Sequence, residues 1–141
     1  MDLSKFDLSG ASEQGAFLHL SFAGEKLYTE GKEPVGLRLY GPESRRYKDA
    51  ERRVKKERMD RVRVGRGGRV RGLGDTTMDE RELLAAVVYE YVNIEVDGET
   101  LPAGATKDQT LALFERFGWI EDQVADLIDD DNAWLGESST N

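Results

Sequence analysis

The stretch Val35-Gly36-Leu37-Arg38-Leu39-Tyr40-Gly41-Pro42-Glu43-Ser44 sets Val35, Leu37 and Leu39 against Gly36, Arg38 and Tyr40. That period-2 alternation marks a strand with one buried face. Gly41-Pro42 ends the strand, and Ser44 is placed to cap a helix over about residues 45–59. Within it Tyr47, Ala50 and Val54 recur at i, i+3 and i+7, a narrow apolar stripe that leaves most of the helix facing solvent. Upstream, Phe17-Leu18-His19-Leu20-Ser21-Phe22, then Ala23-Gly24 and Lys26-Leu27-Tyr28, read as a short hairpin, with a polar turn at 30–34. Residues 1–15 contain Gly10, Ser12 and Gly15 with few large apolar groups, and are predicted to be a flexible arm.

Downstream, five glycines between Arg61 and Gly74 make a continuous helix costly, at about 1 kcal/mol each relative to alanine. Residues 61–76 are therefore predicted to be a mobile basic loop, or a hairpin that orders only in a complex. Thr77-Met78-Asp79-Glu80 has capping-box spacing ahead of Leu83, Leu84, Val87, Val88 and Tyr91, whose spacing predicts a broad apolar helix face. Asn93–Val96 is read as a strand or extended exit, and Asp97-Gly98 as a turn. Thr106-Lys107-Asp108-Gln109 repeats the capping-box spacing and opens a helix with Leu111, Leu113, Phe114 and Phe117, which Gly118 is expected to stop. A last helix near 120–129 groups Ile120, Val124, Leu127 and Ile128; Asn132-Ala133-Trp134-Leu135 can fold back on it, and 137–141 is a polar tail. The predicted class is α+β, a small N-terminal antiparallel sheet or hairpin followed by a mainly helical C-terminal half, as one domain over 16–136.

Composition narrows the chemistry. The 141 residues suit one domain, and no apolar run approaches the roughly 18–20 residues of a membrane span. The start, Met1-Asp-Leu-Ser-Lys-Phe-Asp, lacks the basic and apolar regions of a signal peptide. With no cysteine there is no disulfide framework, thiolate metal site or cysteine nucleophile, and the single histidine, His19, excludes multi-histidine sites. These features fit a soluble cytosolic protein. The net charge of −8 is segregated: residues 45–71 carry 13 basic and 4 acidic groups, whereas 75–141 carry 3 basic and 17 acidic ones. Such a basic block either attracts an external polyanion or meets an acidic protein surface, its own or that of another copy. Because an acidic chain repels nucleic acid at long range, the protein partner is favoured.

Tested against catalytic patterns, the chain offers little. His19 lies in an apolar strand with no partner in sequence, as expected of a structural histidine. There is no Gly-x-Ser-x-Gly. Gly65-Arg-Gly-Gly68 and Gly72-Leu-Gly74 lack the Gly-Lys-Ser/Thr ending of a phosphate loop. Asp122, Asp126 and Asp129–Asp131 lack the alternation and central glycine of a calcium loop and read as a solvated helix face. The Arg/Gly run 61–74 resembles RNA-contacting tracts, but has valines where those supply aromatics.

Two stretches in order resemble the tail assembly chaperones of long-tailed siphophages and related prophages. The first is Gly41-Pro-Glu-Ser44-Arg-Arg-Tyr47-Lys-Asp-Ala50-Glu-Arg-Arg53. The second is Asp97-Gly98-Glu99 with Leu101-Pro102, then Leu111-Ala-Leu-Phe114, Trp119-Ile120-Glu-Asp-Gln123-Val124, Ile128 and Asn132-Ala-Trp134-Leu135. The resemblance spans about residues 33–136. It departs from the family at Glu121, where an arginine is usual, in lacking a tryptophan after the central helix, and in the long Arg/Gly segment. The resemblance implies a non-catalytic protein without cofactor or metal. It would coat the tape measure protein in the host bacterial cytoplasm while the tail tube polymerises, with the tail tube protein as a further partner, and be absent from the finished virion. A frameshifted longer product is usual in the family. Such a protein needs reversible apolar contacts, for which Leu83, Val87, Tyr91, Phe114, Phe117, Trp119 and Trp134 are candidates, although ordinary core is the plainer reading of most. Arg52, Arg53, Lys56, Arg61, Arg63, Arg66, Arg69 and Arg71 are candidates for self-association on acidic residues 121–131 of another copy, or for binding a polyanion. The alternatives are a morphogenesis protein retained in the virion, or an RNA- or single-strand-binding module using the Arg/Gly loop.

Overall fold

A computed structural model describes residues 8–64, 76–130 and Trp134. Its elements are α1 (Leu8–Gln14), β1 (Ala16–His19), β2 (Ser21–Phe22), β3 (Glu25–Lys26), β4 (Gly36–Leu39), α2 (Arg45–Val64), α3 (Thr76–Val87), β5 (Val88–Val92), β6 (Glu95–Val96), β7 (Glu99–Thr100), α4 (Lys107–Arg116) and α5 (Gly118–Asp129). The class is α+β, with the antiparallel sheet β1-β4-β5 and helices mostly in the second half. The alternation read at 35–40 is β4, the middle strand, with Leu37 and Leu39 wholly buried and Arg38 exposed. Register sets Leu18 opposite Leu37, and Leu37 opposite Tyr91, so these three form a row on the sheet's inner face. They join Phe114, Ile120, Val124, Ile128 and Trp134 in one core. Burying each such side chain contributes about 1.5–3 kcal/mol.

The third strand comes from a segment expected to be helical. α3 ends at Val87 and β5 begins at the next residue, so Tyr91 lies in a strand. Valine and tyrosine are better suited to a pleated surface than to a helix, and the run Val87-Val88-Tyr89-Glu90-Tyr91-Val92 switches once its backbone can pair with β4. Tyr91 remains core and sits 2.6 Å from Thr110 Oγ1. Thr110 spends its only proton on the Thr106 carbonyl, 2.8 Å away, so Tyr91 must donate. Burial pushes the Tyr91 hydroxyl above its ordinary pKa, opposed by the bond to Thr110.

The predicted N-terminal arm is corrected over residues 8–14, which form α1; residues 1–7 lie outside the described chain. Ser12 is buried, its carbonyl accepts from Gly41 N at 3.0 Å, and its hydroxyl accepts from Glu43 N at 3.1 Å. Gly41 is required here by close approach: a Cβ would lie 2.4 Å from Ser12 Oγ and 2.9 Å from Ser12 Cα. Ser44 caps α2 as read, its hydroxyl oxygen accepting from Tyr47 N at 3.1 Å while it donates to Gly41 O at 2.7 Å. α2 runs on to Val64 instead of ending near 59, and α3 starts at Thr76, one residue ahead of the expected cap at Thr77. The expected loop therefore loses both ends to helices, and residues 65–75 lie outside the described chain.

Thr106 caps α4 as expected, accepting from Gln109 N. Gly118 does not stop that helix; the break falls at Phe117 (φ −122°, ψ 73°), and Gly118 opens α5. Trp134 does fold back: its indole N–H donates to Leu127 O at 2.9 Å, and the ring is buried. The rest of 131–141, including the expected polar tail, lies outside the described residues.

Gly41→Ala should destabilise the protein by about 1–3 kcal/mol through overpacking and release α1. Urea unfolding and faster amide exchange at residues 8–14 report both effects. Tyr91→Phe should cost about 1 kcal/mol, the net worth of one hydrogen bond, in the same unfolding measurement.

Candidate functional site

The β2–β3 hairpin turns through Ala23 (φ 54°) and Gly24 (φ 84°), the two positive-φ positions of a tight hairpin whose twist matches its strands. One side chain of α5 fixes where this hairpin lies. Gln123 Oε1 accepts from Ser21 N at 3.0 Å, and Gln123 Nε2 donates to Ser21 O at 2.7 Å. The amide thus serves Ser21 as a neighbouring strand would. That clamp brings Phe22, 57% exposed, edge-on to Trp119 with centroids 5.2 Å apart. Phe117 stands 6.4 Å from Trp119. Between Phe117, Trp119, Leu27, Val35 and Val96 lies a cavity of about 150 Å³ that reaches core residues Leu20, Ile94 and Ile120; Phe22 stands beside it, against Trp119. Its wall is almost entirely apolar, with Glu95 the one ionisable group lining it.

A second hairpin borders this groove. β6 and β7 turn through Asp97 (φ 53°) and Gly98 (φ 82°), as the Asp-Gly pair predicted. Arg116 holds the turn against the end of α4, donating to both Asp97 carboxylate oxygens at 2.6 and 2.8 Å. The Arg116 guanidinium beside Asp97 holds that carboxyl below its ordinary value of 3.8.

Of the apolar candidates read from sequence, the structure brings together only Phe117 and Trp119. Val87, Tyr91, Phe114 and Trp134 are core residues and present no contact surface. The reason is that one apolar periodicity serves both core and surface contact, and these four join the core cluster. Leu83 is half-buried on α3, apart from the groove. Sequence reading missed Phe22, Leu27, Val35 and Val96. Phe22 was detectable as the large apolar residue next to a tight-turn pair, where a hairpin tip leaves little to cover it.

The basic candidates divide as well. Arg52, Arg53 and Lys56 lie exposed on α2, with Arg52 paired to Asp49 at 3.1 Å. Arg61 and Arg63 fall in the last turn of α2, and Arg66, Arg69 and Arg71 lie outside the described residues. The buried side of α2 is held by Arg58, 3.1 Å from Asp79. On α5, Glu121 is occupied by Arg81, which donates to both its oxygens at 3.0 and 3.2 Å and leaves the Arg81 guanidinium with a raised pKa. Asp122, Asp126 and Asp129 remain exposed. His19 has a structural post: Nε2 lies 2.8 Å from Leu27 O, so that nitrogen carries the proton and donates, and the ring meets Tyr28 edge-on at 4.8 Å. Among the described residues no group of three or more His, Asp or Glu side chains is arranged to hold a metal ion. No described helix is long and apolar enough to cross a membrane. The arrangement offers an apolar groove rimmed by Phe117 and Trp119 and a charged helix ridge.

Gln123→Ala should free the hairpin and uncover Trp119. In a Trp134→Phe background, acrylamide quenching of Trp119 should rise while the far-ultraviolet circular dichroism stays unchanged. The Asp97 carboxyl should titrate below its ordinary range by NMR, and Arg116→Gln should return it toward 3.8. Because the folded-state value is the lower one, this pair's contribution to stability is present above the ordinary carboxylate range and is lost as pH falls through the depressed value. Comparison with known protein families, with curated proteins and with solved structures finds no match.

Proposed function

We propose that this chain is a non-catalytic tail assembly chaperone of a long-tailed phage. In this reading it binds apolar segments of the tape measure protein in the host cytoplasm, keeps them soluble while the tail tube grows, and leaves before the virion is complete. The observation that carries this reading is the apolar groove beneath the half-buried rings of Phe117 and Trp119, joined to the core and flanked by the exposed ring of Phe22, on an otherwise highly charged surface. Rings at a rim and aliphatic side chains at the floor suit the apolar stripe of a helix laid into a groove. Loss of even one well-packed aromatic anchor commonly costs more than 1 kcal/mol of binding. The resemblance at residues 41–53 and 97–135 gives the same direction. Self-association belongs to this reading, because one 15.8 kDa chain covers little of a long partner. The exposed ridge Arg52, Arg53 and Lys56 is complementary to Asp122, Asp126 and Asp129 of another copy, a head-to-tail contact that extends into filaments or spirals.

Tagged full-length chain captured from phage-producing cells should carry the tape measure protein, and mature particles should lack the chain. Trp119→Ala should weaken that capture by about tenfold or more. Retention in particles, or capture indifferent to Trp119, would contradict the reading. Reversing the charges at Arg52, Arg53 and Lys56 should lower the sedimentation coefficient at equal protein concentration; no change would remove the head-to-tail contact.

A further inference from the structure

The side of the sheet turned away from the helices has its own chemistry. Leu18, Leu37, Leu39 and Tyr91 face the core, whereas Phe17, Arg38 and Glu90 alternate with them and lie across the strands from one another. Phe17 lies on the β4 backbone, where Gly36 leaves room for it; a Cβ on Gly36 would meet ring atoms at 2.7 Å. The Arg38 guanidinium stands 5.3 Å from the Phe17 centroid and is held there by Glu90 at 2.7 Å. Along the same face, Tyr40 and Tyr89 stack at 4.4 Å with an interplanar angle of 30°. Arg46 stands 5.8 Å from the Tyr40 centroid, its Nε donating to Ala86 O at 2.6 Å. At Tyr40 the surface opens into a cleft lined by Arg45, Arg46 and Arg53, with Glu13 and Asp49. The cleft continues onto the exposed ridge of α2, a helix with ten basic and four acidic residues.

We propose that this open face binds single-stranded nucleic acid. Bases stack on the exposed Arg38 guanidinium, which Phe17 backs, and on the Tyr40–Tyr89 pair, while the phosphates follow Arg45, Arg46 and Arg53 onto α2. Both halves of the surface are needed for this ligand and for no simpler one. An acidic protein segment would use the cations and leave the rings idle; an apolar one would use the rings and leave the cations idle. Single strands present flat π-faces joined by a regular anionic backbone, and proteins bind them on aromatic platforms beside a basic track. A duplex hides its bases and would be served only by the cations. The overall charge of −8 does not oppose local binding, since charges more than about 8–10 Å away are largely screened at physiological salt. The face is separate from the apolar groove, and the inference does not rest on the chaperone reading.

Fluorescence anisotropy of the full-length chain with a labelled uridine oligomer of about 20 nucleotides, and with a duplex of the same length, tests the proposal at about 50 mM salt. The single strand should bind at least tenfold more tightly than the duplex. Phe17→Leu, which keeps an apolar cover over Gly36 but removes the ring that backs the stacking guanidinium of Arg38, should weaken binding about tenfold, the size of one stacked base. Arg45→Gln with Arg53→Gln should flatten the salt dependence, and Trp119→Ala should change nothing. No binding by the full chain, equal binding of duplex, or undiminished binding by Phe17→Leu would each overturn the proposal. So would loss of self-association in the Arg45→Gln, Arg53→Gln chain with no anisotropy change at all, which would assign the surface to a second copy.

Discussion

Strand β4 is the constraint on which the rest of the molecule depends. It is the middle strand of the sheet, paired on one side with β1 and on the other with β5. Leu37 and Leu39 send their side chains wholly into the core, and Arg38 between them points out. A slip of one residue would place an arginine among the helices and two leucines in water, so burial fixes register. β4 runs directly into the turn that caps α2. Gly41 is pressed against Ser12, and Ser44 turns its hydroxyl back to Gly41 O. The strand, the solvent-facing helix and α1 are consequently one mechanical unit.

The two candidate surfaces follow from that division of faces. On the inner side the helices α3, α4 and α5 close over the sheet, leaving an apolar opening where the β2–β3 hairpin, β6 and the α4–α5 elbow meet. The elbow bends at Phe117 and turns Phe117 and Trp119 outward, while Gln123 one turn later holds the hairpin that brings Phe22 to them. On the outer side the same alternation displays Phe17, Arg38 and Glu90, with Tyr40 and Tyr89 beside the basic helix. Neither surface requires a catalytic group. His19, the single imidazole, is engaged with the Leu27 carbonyl.

Much of the fold was legible in the sequence because its signals are local. The alternation at 35–40, the caps at Ser44 and Thr106, the Asp97-Gly98 turn and the stripe Ile120, Val124 and Ile128 each rest on neighbouring residues. What was not legible depends on distant partners. Val87–Val92 reads as helix until β4 offers a pairing edge. Residues 8–14 read as an arm because nothing within them shows that Ser12 is gripped by Gly41 and Glu43. The candidate site was the least visible. Helical periodicity alone cannot separate an outward aromatic from a core one, so Phe117 and Trp119 read no differently from Val87, Tyr91, Phe114 and Trp134, which are buried. Phe22 belongs to the site only because Gln123, 102 positions away from Ser21, holds its hairpin there.

The central claim is that an apolar partner enters the groove at Phe117 and Trp119, beside Phe22. The most direct test is NMR of the isotopically labelled chain titrated with a soluble apolar segment of the tape measure protein. The account predicts that the largest shifts fall on the Trp119 indole N–H, Phe22 and Phe117, with the sheet's outer face unmoved. Shifts confined to α2, or none at saturating segment, would contradict it.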